Sequence, residues 1–507
     1  MSYFPPDPLD GCGTMLDDDP KALVSELTRV RDMVIAEATE LMRRWEPMLR
    51  RGDFRASAEN LAYYMALRRI DMRPIQAALA PWGLASLGRC EGRVMPTLNA
   101  IIANLQMISH ANSEPLRPRR EDFLYGEEAL HRHSEAVLGP RPPGRETRIL
   151  VTLSKRAAED PAHVENLVLT GMDCARINCA HDDADRWAAM IANVRAAARA
   201  NRRSCLVLMD LAGPKVRTRY VVTPPDRKTV SAGDRIFLAF AKPAENAEFA
   251  FQTSCTMPSV MTQVAVGAAA SIKDGLIQGV IEEVRKDGLV LRVVRTPPEG
   301  QPLQKEKGIN FPGTALHLSP LTPDDLQNLD FVTEHADIVS YSFVQEPKDI
   351  AFLQSELVKR RPGRPPMPIV AKIETQLAFD NLPDLIVQAA GANPFAVMIA
   401  RGDLAVEVGY ERLSEVQEEI LWLCEAAHVP VIWATQVLES LVKRGMPSRG
   451  EFTDAAMAQR AECVMLNKGP FIHEGIAVLD NVLRRMETHK HKRSTQLRPL
   501  KAWSDLH

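Results

Sequence analysis

The stretch PIVAKIETQLAFDNLPDLIVQAAGANPFAVMIARGDLAVE, residues 368–407, decides the fold. Two short apolar runs, at 368–371 and 396–400, enclose a segment whose apolar residues recur at helical spacing. Continuous apolar runs of this kind are typical of parallel strands that are buried on both faces. The stretch therefore predicts a strand, a helix and a second parallel strand, which together form a βαβ unit.

Charged residues follow both runs directly. Lys372 and Glu374 end the first run, and Arg401 and Asp403 end the second. Because ligands in parallel α/β folds bind beyond the carboxyl ends of the strands, we expect Glu374 and Asp403 to converge at one rim. Two carboxylates at a rim suit a hard cation such as Mg²⁺. The alternative is that they form ordinary surface ion pairs.

The same pattern repeats through most of the chain after residue 148. Eight apolar runs alternate with helical spans, and every run ends in polar residues. The runs are ILVTL at 149–153, CARIN at 174–178, CLVLMD at 205–210, DIVSYSF at 337–343, PIVAKIE at 368–374, AVMIARGD at 396–403, VPVIWATQ at 429–436 and CVMLNKG at 463–469. Eight βα units predict an α/β fold, the (β/α)8 TIM barrel, with its chemistry at the strand ends.

Residues 211–336, between the third and fourth runs, have a different character. They contain the β-rich runs GLIQGVIEEV and GLVLRVV with Asp-Gly turn dipeptides beside them. This pattern predicts an all-β domain inserted after the third strand.

The amino-terminal part is helical in pattern, with apolar residues spaced by three and four from residue 23 onward. The segment 115–144, rich in Pro and Arg, reads as a linker. We therefore predict a helical domain and linker at 1–145, barrel segments at 146–217 and 317–490, the inserted β-domain at 218–316 and a tail at 491–507. We expect the helical domain to be dispensable for the chemistry, since the barrel has its own eight strands.

Composition restricts the partners. The net charge is −3 with 25% charged residues, which indicates no general affinity for nucleic acid. No window reaches the roughly 18 apolar residues of a membrane span, and the amino terminus is acidic and interrupted by proline. We expect a cytoplasmic protein with small-molecule partners and reduced thiols, because the eight cysteines are scattered without metal-ligand spacing.

Three motifs resemble those of one enzyme family. AKIET at 371–375 and MIARGDLAVE at 398–407 resemble the KIE and ARGDL motifs of the pyruvate kinase family. WATQVLESLVKRGMPSRGE at 433–451 resembles that family's ATQMLES and P-T-R-AE motifs, in the same order along the chain. The resemblance covers about residues 146–488. It implies a glycolytic phosphotransferase that converts phosphoenolpyruvate and ADP to pyruvate and ATP, with the inserted β-domain closing over the nucleotide.

The resemblance also implies nucleotide contacts. Arg176 and Asn178 lie in CARINCAH, which resembles the family's RLNFSH, and with His181 they would face nucleotide phosphates. Arg217, in MDLAGPKVRT, matches the family's GPEIRT and would bridge phosphate oxygens. Lys307, in EKGINFPG, matches a lysine that approaches when the β-domain closes.

Substrate and metal contacts are implied in the same way. Lys372, with Arg176, would neutralise the phosphoryl group during transfer, and Glu374 and Asp403 would hold Mg²⁺ or Mn²⁺. Thr435 would lie beside the carboxylate and methylene of the substrate. The backbone amides of Gly402 and Asp403 would bind that carboxylate.

The sequence departs from the family at the eighth strand end. The family's LSGETAKG is replaced by LNKGPFIHEG, so that Asn467 and Gly469 stand where the serine and glutamate linked to proton delivery would be. The family's carboxy-terminal domain finds no counterpart after residue 490, and we expect no sugar-phosphate activation through it. A homo-oligomer is expected.

A second departure concerns potassium. Potassium-dependent members bind K⁺ with an asparagine, a serine, an aspartate and a threonine, near a glutamate. The matching positions here are Asn178, Ala180, Asp210, Leu211 and Lys215. Two oxygen ligands are missing, and we predict that the Lys215 ammonium replaces the ion, so that K⁺ is not required.

Two other functions stay open. One is a metal-dependent lyase or decarboxylase acting on an enolpyruvate or 2-oxo acid, for which Lys372, Glu374 and Asp403 would suffice. The other is a catalytically silent protein that binds phosphoenolpyruvate and acts as a regulator, which the altered eighth strand end would permit.

Overall fold

The structure is a computed structural model that describes residues 18–110, 116–243, 248–314, 316, 318–487, 490–491 and 494–495. The chain forms two compact units. One comprises the chain up to Arg132 together with Trp422–His428, and the other comprises His133–Leu421 and the chain from Val429 onward. Most of the predicted tail at 491–507 lies outside the described residues.

The first unit is helical, as its sequence pattern predicts. Asp19 caps the first helix by accepting a hydrogen bond from the Ala22 amide at 3.0 Å, and Pro20 occupies the first helical position. The helices are α1 (Pro20–Trp45), α2 (Arg55–Leu67), α3 (Arg73–Leu79), α4 (Val94–Ile108) and the first part of α5 (Arg120–Leu138), with short 3-10 helices at Glu46–Met48, Gly52–Phe54, Ala80–Trp82, Ser86–Arg89 and Glu91–Arg93.

The predicted linker at 115–144 is wrong, because most of it forms the helix α5. Its prolines lie only at the two ends of the segment, and the interior has helical periodicity that the flanking Pro and Arg residues obscured. The helix ends in the second unit, where Val137 and Leu138 are buried in one core with Leu150, Cys174 and Leu208 of the barrel strands.

The second unit contains a closed barrel of eight parallel strands, which confirms the predicted TIM barrel. Its strands, numbered through the whole chain, are β1 (Arg148–Thr152), β2 (Cys174–Asn178), β3 (Leu206–Asp210), β13 (Ile338–Tyr341), β14 (Ile369–Ile373), β15 (Phe395–Ala400), β16 (Val431–Ala434) and β17 (Cys463–Leu466). Neighbouring strands follow the order β1, β17, β16, β15, β14, β13, β3, β2. Nearly every strand residue is buried, which explains the continuous apolar runs.

Helices cover the barrel between its strands. They are α6 (Arg156–Glu159), α7 (Pro161–Thr170), α8 (Ala184–Ala200), α10 (Pro323–His335), α11 (Pro347–Arg360), α12 (Gln376–Asp380), α13 (Leu382–Ala390), α14 (Arg401–Val408), α15 (Tyr410–Ala426), α16 (Glu439–Arg444), α17 (Arg449–Ala458) and α18 (Ile472–Glu487). A further two-stranded ribbon, β18 (Lys490–His491) and β19 (Ser494–Thr495), follows α18.

The insertion after β3 is a β-domain, as predicted, with one short helix. Its elements are β4 (Thr218–Val222), β5 (Thr229–Val230), β6 (Arg235–Ala239), β7 (Phe251–Cys255), α9 (Pro258–Met261), β8 (Ala269–Ile272), β9 (Ile277–Arg285), β10 (Gly288–Arg295), β11 (Gln301–Pro302) and β12 (Ile309–Asn310). Seven strands form one sheet in the order β12, β8, β9, β10, β6, β7, β4. Since β3 ends at the carboxyl rim of the barrel, the insertion leaves the barrel at that rim.

Two predictions from composition can be compared with the structure. The cysteines within the described ranges are all buried, as expected. No helix in the described part of the chain is long and apolar enough to cross a membrane.

The helical unit includes a late segment of the chain, Trp422–His428. The two ring nitrogens of His428 lie 2.9 Å from Ser57 Oγ and 2.9 Å from the Gly92 carbonyl oxygen. The side-chain amide of Asn60 donates to the carbonyl oxygens of Glu91 at 2.7 Å and Ala426 at 2.8 Å. These bonds satisfy buried polar groups that would otherwise lose their partners.

Deleting residues 1–140 is therefore expected to unfold the protein, contrary to the expectation that the helical domain is dispensable. The deletion leaves His428 without Ser57 and Gly92, and it removes Val137 and Leu138 from the barrel core. Circular dichroism and thermal melting would measure the effect, with a deletion of residues 1–17, which precede α1, as the folded control. A folded 1–140 deletion with normal thermal stability would contradict this prediction.

A histidine pair links α7 to α18. His163 Nδ1 lies 2.9 Å from His473 Nε2, so only one of the two nitrogens carries the shared proton. Burial lowers the pKa of both histidines, and the charge of Arg156 lowers them further. The folded protein therefore resists a second proton in this pair.

We expect the pair to weaken the fold in acid. Both folded pKa values lie below that of free histidine. The stability that the neutral pair contributes is therefore fully present above the unfolded pKa, and it is lost as the pH falls from that value through the folded pKa values. Melting temperatures between about pH 7.5 and about pH 5.5 should fall less steeply for His473→Gln than for the unmodified protein. The exposed His110→Gln is the control, and equal slopes for all three proteins would contradict the prediction.

Candidate functional site

A polar cavity of about 160 Å³ opens at the carboxyl ends of the barrel strands. Its walls contain most of the residues that the sequence singled out, namely Arg176, Asn178, Lys215, Arg217, Lys372, Glu374, Asp403 and Thr435. Ala180, Asp210, Leu211, Ala212, Ser342, Phe343, Met398, Ala400, Met465 and Asn467 complete it. Residues from seven barrel strand ends and the start of the insertion thus meet at one place.

Lys372, on β14, lies at the centre of the charges. Its ammonium lies 3.0 Å from Glu374 Oε1 and 3.6 Å from Asp210 Oδ2, and it donates to Ser342 Oγ at 2.8 Å. Burial opposes the charge, but Asp210 and Glu374 outweigh it and raise the pKa of Lys372. Lys372 is therefore a protonated ammonium at neutral pH.

Asp210, at the end of β3, is the shared counter-ion of two cations, Arg176 and Lys372. Arg176 Nε donates to Asp210 Oδ2 at 3.0 Å, Nη2 contacts the same oxygen, and Nη1 donates to Thr152 Oγ1 at 3.0 Å. Burial favours the neutral carboxyl, yet Lys372 and Arg176 hold the pKa of Asp210 below its usual value. The carboxylate thus fixes the two cations at neighbouring positions.

Lys215 forms a further ion pair in the cavity, with Asp403. Its Nζ lies 2.8 Å from Oδ1 and 2.9 Å from Oδ2 of Asp403. Its side chain passes Gly308, where an added Cβ would lie 3.1 Å from Lys215 Cε. The glycine leaves room for the lysine between the exit of the insertion and the barrel rim. Lys215 thus contacts Asp403, while Arg176 and Lys372 are the cations beside Asp210.

Thr435 follows β16 in a strained conformation. Its φ is 65°, and Gln436 and Leu438 have φ values of 60° and 46°. A left-handed β-branched residue costs roughly 1–2 kcal/mol, and such strain is concentrated at functional sites. Thr435 Oγ1 is buried and has no hydrogen-bond partner among the described residues. A bound molecule can supply that partner.

Three of the residues predicted for the site, Gly402, His181 and Lys307, are not among those that line the cavity. A Cβ on Gly402 would lie 3.8 Å from Thr435 Cγ2, which places Gly402 beside Thr435. His181 lies close enough to cationic side chains that burial first, and then Lys468, Arg217 and Arg176, lower its pKa.

Lys307 lies on the segment that leaves the insertion. Its amide donates to Thr218 Oγ1 at 2.9 Å, and the neighbouring Glu306 carbonyl oxygen accepts from Arg217 Nη1 at 3.3 Å. The backbone thus holds Lys307 beside Arg217 at the junction of insertion and barrel.

The structure adds residues that the sequence reading did not place in the site. Ser342 binds Lys372, and the Phe343 amide donates to Glu374 Oε2 at 2.7 Å. Burial, and then the charge of Asp403, raise the pKa of Glu407 to about 7. Ser342 could have been found from its place just after β13, at a strand end like the others. Glu407 is one helical turn beyond Asp403 and carried no separate signal.

The two carboxylates Glu374 and Asp403 fit a small divalent cation. Both line the same cavity. Burial raises the pKa of Glu374, Lys372 opposes this change, and the charge of Asp403 adds to it. Across the described ranges, no group of three or more His, Cys, Asp or Glu side chains has metal-binding geometry. A set of two carboxylates suits Mg²⁺, which takes its other ligands from substrate and water.

The fold and the cavity together define a TIM-barrel protein with a charged site at its carboxyl rim and a β-domain inserted beside it. A family model described as the barrel domain of pyruvate kinase matches residues 144–470. The chain therefore belongs to the pyruvate kinase family.

Individual proteins that are similar to this chain are also pyruvate kinases. A pyruvate kinase of Agrobacterium vitis is 33% identical over 356 residues, covering 69% of this chain and 70% of that protein. Pyruvate kinase PKLR of Homo sapiens is 30% identical over 357 residues, covering 68% of this chain and 60% of that protein. A crystal structure of a pyruvate kinase from Cryptosporidium parvum has a TM-score of 0.60 at 26% identity, covering 70% of this chain and 72% of that one.

Proposed function

We propose that this chain transfers the phosphoryl group of phosphoenolpyruvate to ADP, giving pyruvate and ATP, as a cytoplasmic enzyme of glycolysis. The observation that carries the proposal is the meeting of Lys372, Arg176 and Arg217 with Glu374 and Asp403 around one cavity. Phosphoryl transfer requires positioning and positive charge around the transferred group, with a metal ion to hold it.

Each side chain then has a defined task. Lys372 stabilises the charge that spreads over the phosphoryl oxygens during transfer, and Arg176 and Arg217 contact phosphate oxygens from the neighbouring wall. The amides of Gly402 and Asp403, at the amino end of α14, bind the substrate carboxylate. The insertion brings Lys307 toward the nucleotide, beside Asn178 and His181, and excludes water.

Proton delivery to the enolate needs a group at the methylene carbon. Asn467 lines the cavity at the eighth strand end, where the family motif has a hydroxyl and a carboxylate nearby. An amide is a poor proton donor, whereas the Thr435 hydroxyl is buried in the site without a partner in the described part of the chain. Thr435 is therefore the residue that we assign to orienting or delivering this proton.

Glu374 and Asp403 would hold Mg²⁺ or Mn²⁺, which when bound supplies positive charge to the phosphate and carboxylate oxygens of the substrate. Replacing both by Gln and Asn is expected to weaken Mn²⁺ binding by more than about 100-fold, because the only two carboxylates proposed as ligands lose their charge. Titration followed by water proton relaxation measures this. Glu356→Gln, on α11, is the control, and wild-type Mn²⁺ affinity in the double variant would place the ligands elsewhere.

A coupled assay tests the function directly. The purified protein, phosphoenolpyruvate, ADP and Mg²⁺ should yield pyruvate at a rate proportional to protein concentration. Absence of pyruvate and ATP with either Mg²⁺ or Mn²⁺ would refute the proposal. Light scattering on the same sample tests the proposed homo-oligomer.

The altered eighth strand end favours one second candidate, a catalytically silent protein that binds phosphoenolpyruvate. It predicts calorimetric binding of phosphoenolpyruvate in the presence of Mg²⁺ without turnover. A lyase or decarboxylase would release carbon dioxide or an aldehyde from a 2-oxo acid in the absence of ADP, and the same sample can be assayed for both.

A further inference from the structure

Arg401 connects two neighbouring barrel strands at their carboxyl ends. It follows β15, and its side chain is 8% exposed. Its Nε donates to the Ala434 carbonyl oxygen at 2.9 Å, and its Nη2 donates to the Thr435 carbonyl oxygen. The two acceptors are the last residue of β16 and the strained residue after it.

Two further side chains fix the guanidinium. Asp454, on α17, accepts from Arg401 Nη2 at 2.9 Å and also contacts Nη1. The guanidinium lies 4.6 Å above the ring of Trp433, whose Nε1 donates to Asp454 Oδ1 at 3.3 Å. The planar guanidinium of arginine carries five N–H donors and can contact all these partners at once, which no other side chain can do.

The bonds of Arg401 are concentrated on the strand end that carries Thr435. The left-handed conformation at Thr435 and Gln436 turns the chain directly after Ala434, so that the carbonyl oxygens of Ala434 and Thr435 both face Arg401. A left-handed conformation at a non-glycine residue persists only when neighbouring groups hold it in place. Here Arg401, together with Asp454 and Trp433, holds it.

We propose that Arg401 is a positioning residue. It fixes Thr435, the residue after β16, against Gly402 and Asp403, the two residues that follow Arg401 in the chain. The inference rests on the proposed function, because Thr435 and Gly402 are assigned there to the same substrate. Thr435 lies beside Gly402, with 3.8 Å between its Cγ2 and a Cβ placed on the glycine. A substrate that spans both strand ends requires their separation to be constant.

A role in stability alone does not account for this arrangement. A buried ion pair is weak evidence for stability, because desolvation offsets the attraction between its partners. The groups of a catalytic site, in contrast, must be held within about 0.5 Å of their productive geometry by supporting hydrogen bonds. The Arg401 bonds supply that support at the strand end where the backbone is strained.

The experiment compares Arg401→Lys and Asp454→Asn with Arg460→Lys. Arg460 pairs with Glu418 in a similarly buried site, with 10% of its side chain exposed, and it does not line the cavity. We expect kcat/KM for phosphoenolpyruvate to fall about 100-fold in Arg401→Lys, mostly in kcat, and less in Asp454→Asn. KM for ADP should be unchanged, and Arg460→Lys should keep the normal rate.

A double-variant cycle shows whether Arg401 acts through Thr435. If it does, Arg401→Lys should lower kcat much less in a Thr435→Ala background than in the unmodified protein, while its effect on Tm stays the same. Equal kinetic losses in both backgrounds would overturn the inference. If Arg401→Lys does not fold, the cycle is made with Asp454→Asn, and the same two outcomes apply.

Amide hydrogen exchange separates this inference from the proposed reaction. In Arg401→Lys the amides of residues 434–438 should exchange at least about tenfold faster, with the other strand ends unchanged. Unchanged exchange at these residues would overturn the positioning role even in an active enzyme. Faster exchange in a protein that makes no pyruvate would refute the proposed reaction and leave the positioning of Thr435 supported.

Discussion

Replacing Lys372 by methionine is expected to slow pyruvate formation by about 1,000-fold or more, because the variant loses the ammonium at the centre of the cavity. Lys372 contacts Glu374 and Asp210 and is held by Ser342. Its aliphatic part contributes little that methionine cannot replace. The loss should therefore appear in kcat, with a smaller change in KM for ADP.

The structure also predicts an effect of this substitution on folding. Methionine would leave the carboxylates of Asp210 and Glu374 buried without this cation, and both side chains are at most 3% exposed. Burial already raises the pKa of Glu374, so in the variant this carboxyl should take up a proton. A group with a raised folded pKa stabilises below its unfolded pKa, and that contribution is lost as the pH rises through the folded value. The melting temperature of the variant should therefore rise as the pH is lowered.

Lys359→Met is the matched control, since Lys359 is an exposed lysine that pairs with Glu356 on α11. It should melt normally and keep its rate. A Lys372→Met enzyme with near-normal turnover would remove Lys372 from the transfer step. A variant that is unfolded at every pH would show that the ammonium is needed for the fold.

The unmodified protein is expected to work equally well in potassium and in tetramethylammonium salts at matched ionic strength. Ala180 and Leu211 line the cavity at the positions where potassium-dependent relatives would offer oxygen ligands. A hard cation cannot exchange its water for two alkyl groups. Several-fold stimulation by K⁺ would refute this prediction.

Replacing Lys215 by glutamate should lower the rate by about 100-fold, because a carboxylate would then face Asp403 in place of an ammonium that binds both its oxygens. Added K⁺ should not restore the rate, since two oxygen ligands are still missing. Lys443→Glu, at an exposed pair with Glu439, is the control for a change of charge alone. Normal turnover in Lys215→Glu would show that the lysine is only a surface charge.

The barrel could be predicted because every strand carries its own signal. A parallel strand that is buried on both faces has a continuous apolar sequence, and the residues after it are polar. The end of each strand can therefore be recognised in the sequence. The helix α5 could not be predicted in this way. Its last residues, Val137 and Leu138, are buried in one core with barrel residues such as Leu208, and no local sequence pattern reveals that contact.

The sequence predicted which residues belong to the site, but it did not predict which side chains pair with one another. Glu374 and Asp403 were expected at one rim, and both line the cavity there. Lys215 pairs with Asp403, whereas Arg176 and Lys372 pair with Asp210. This choice of partners depends on side-chain directions across four strands. The contacts of Arg401 with Ala434 and Asp454 depend on the backbone turn after β16, which no spacing in the sequence reveals.

The membership of Trp422–His428 in the amino-terminal unit has a consequence for synthesis on the ribosome. Helices α1 to α4 emerge first, yet the partners of Ser57 and Asn60 at His428 and Ala426 are made only after the barrel strands through β15. At about 5–20 residues per second, the interval corresponds to roughly 15–60 s. During that time Ser57 and Asn60 lack these two partners, so we expect the amino-terminal unit to complete its folding only after residue 428 has been synthesised.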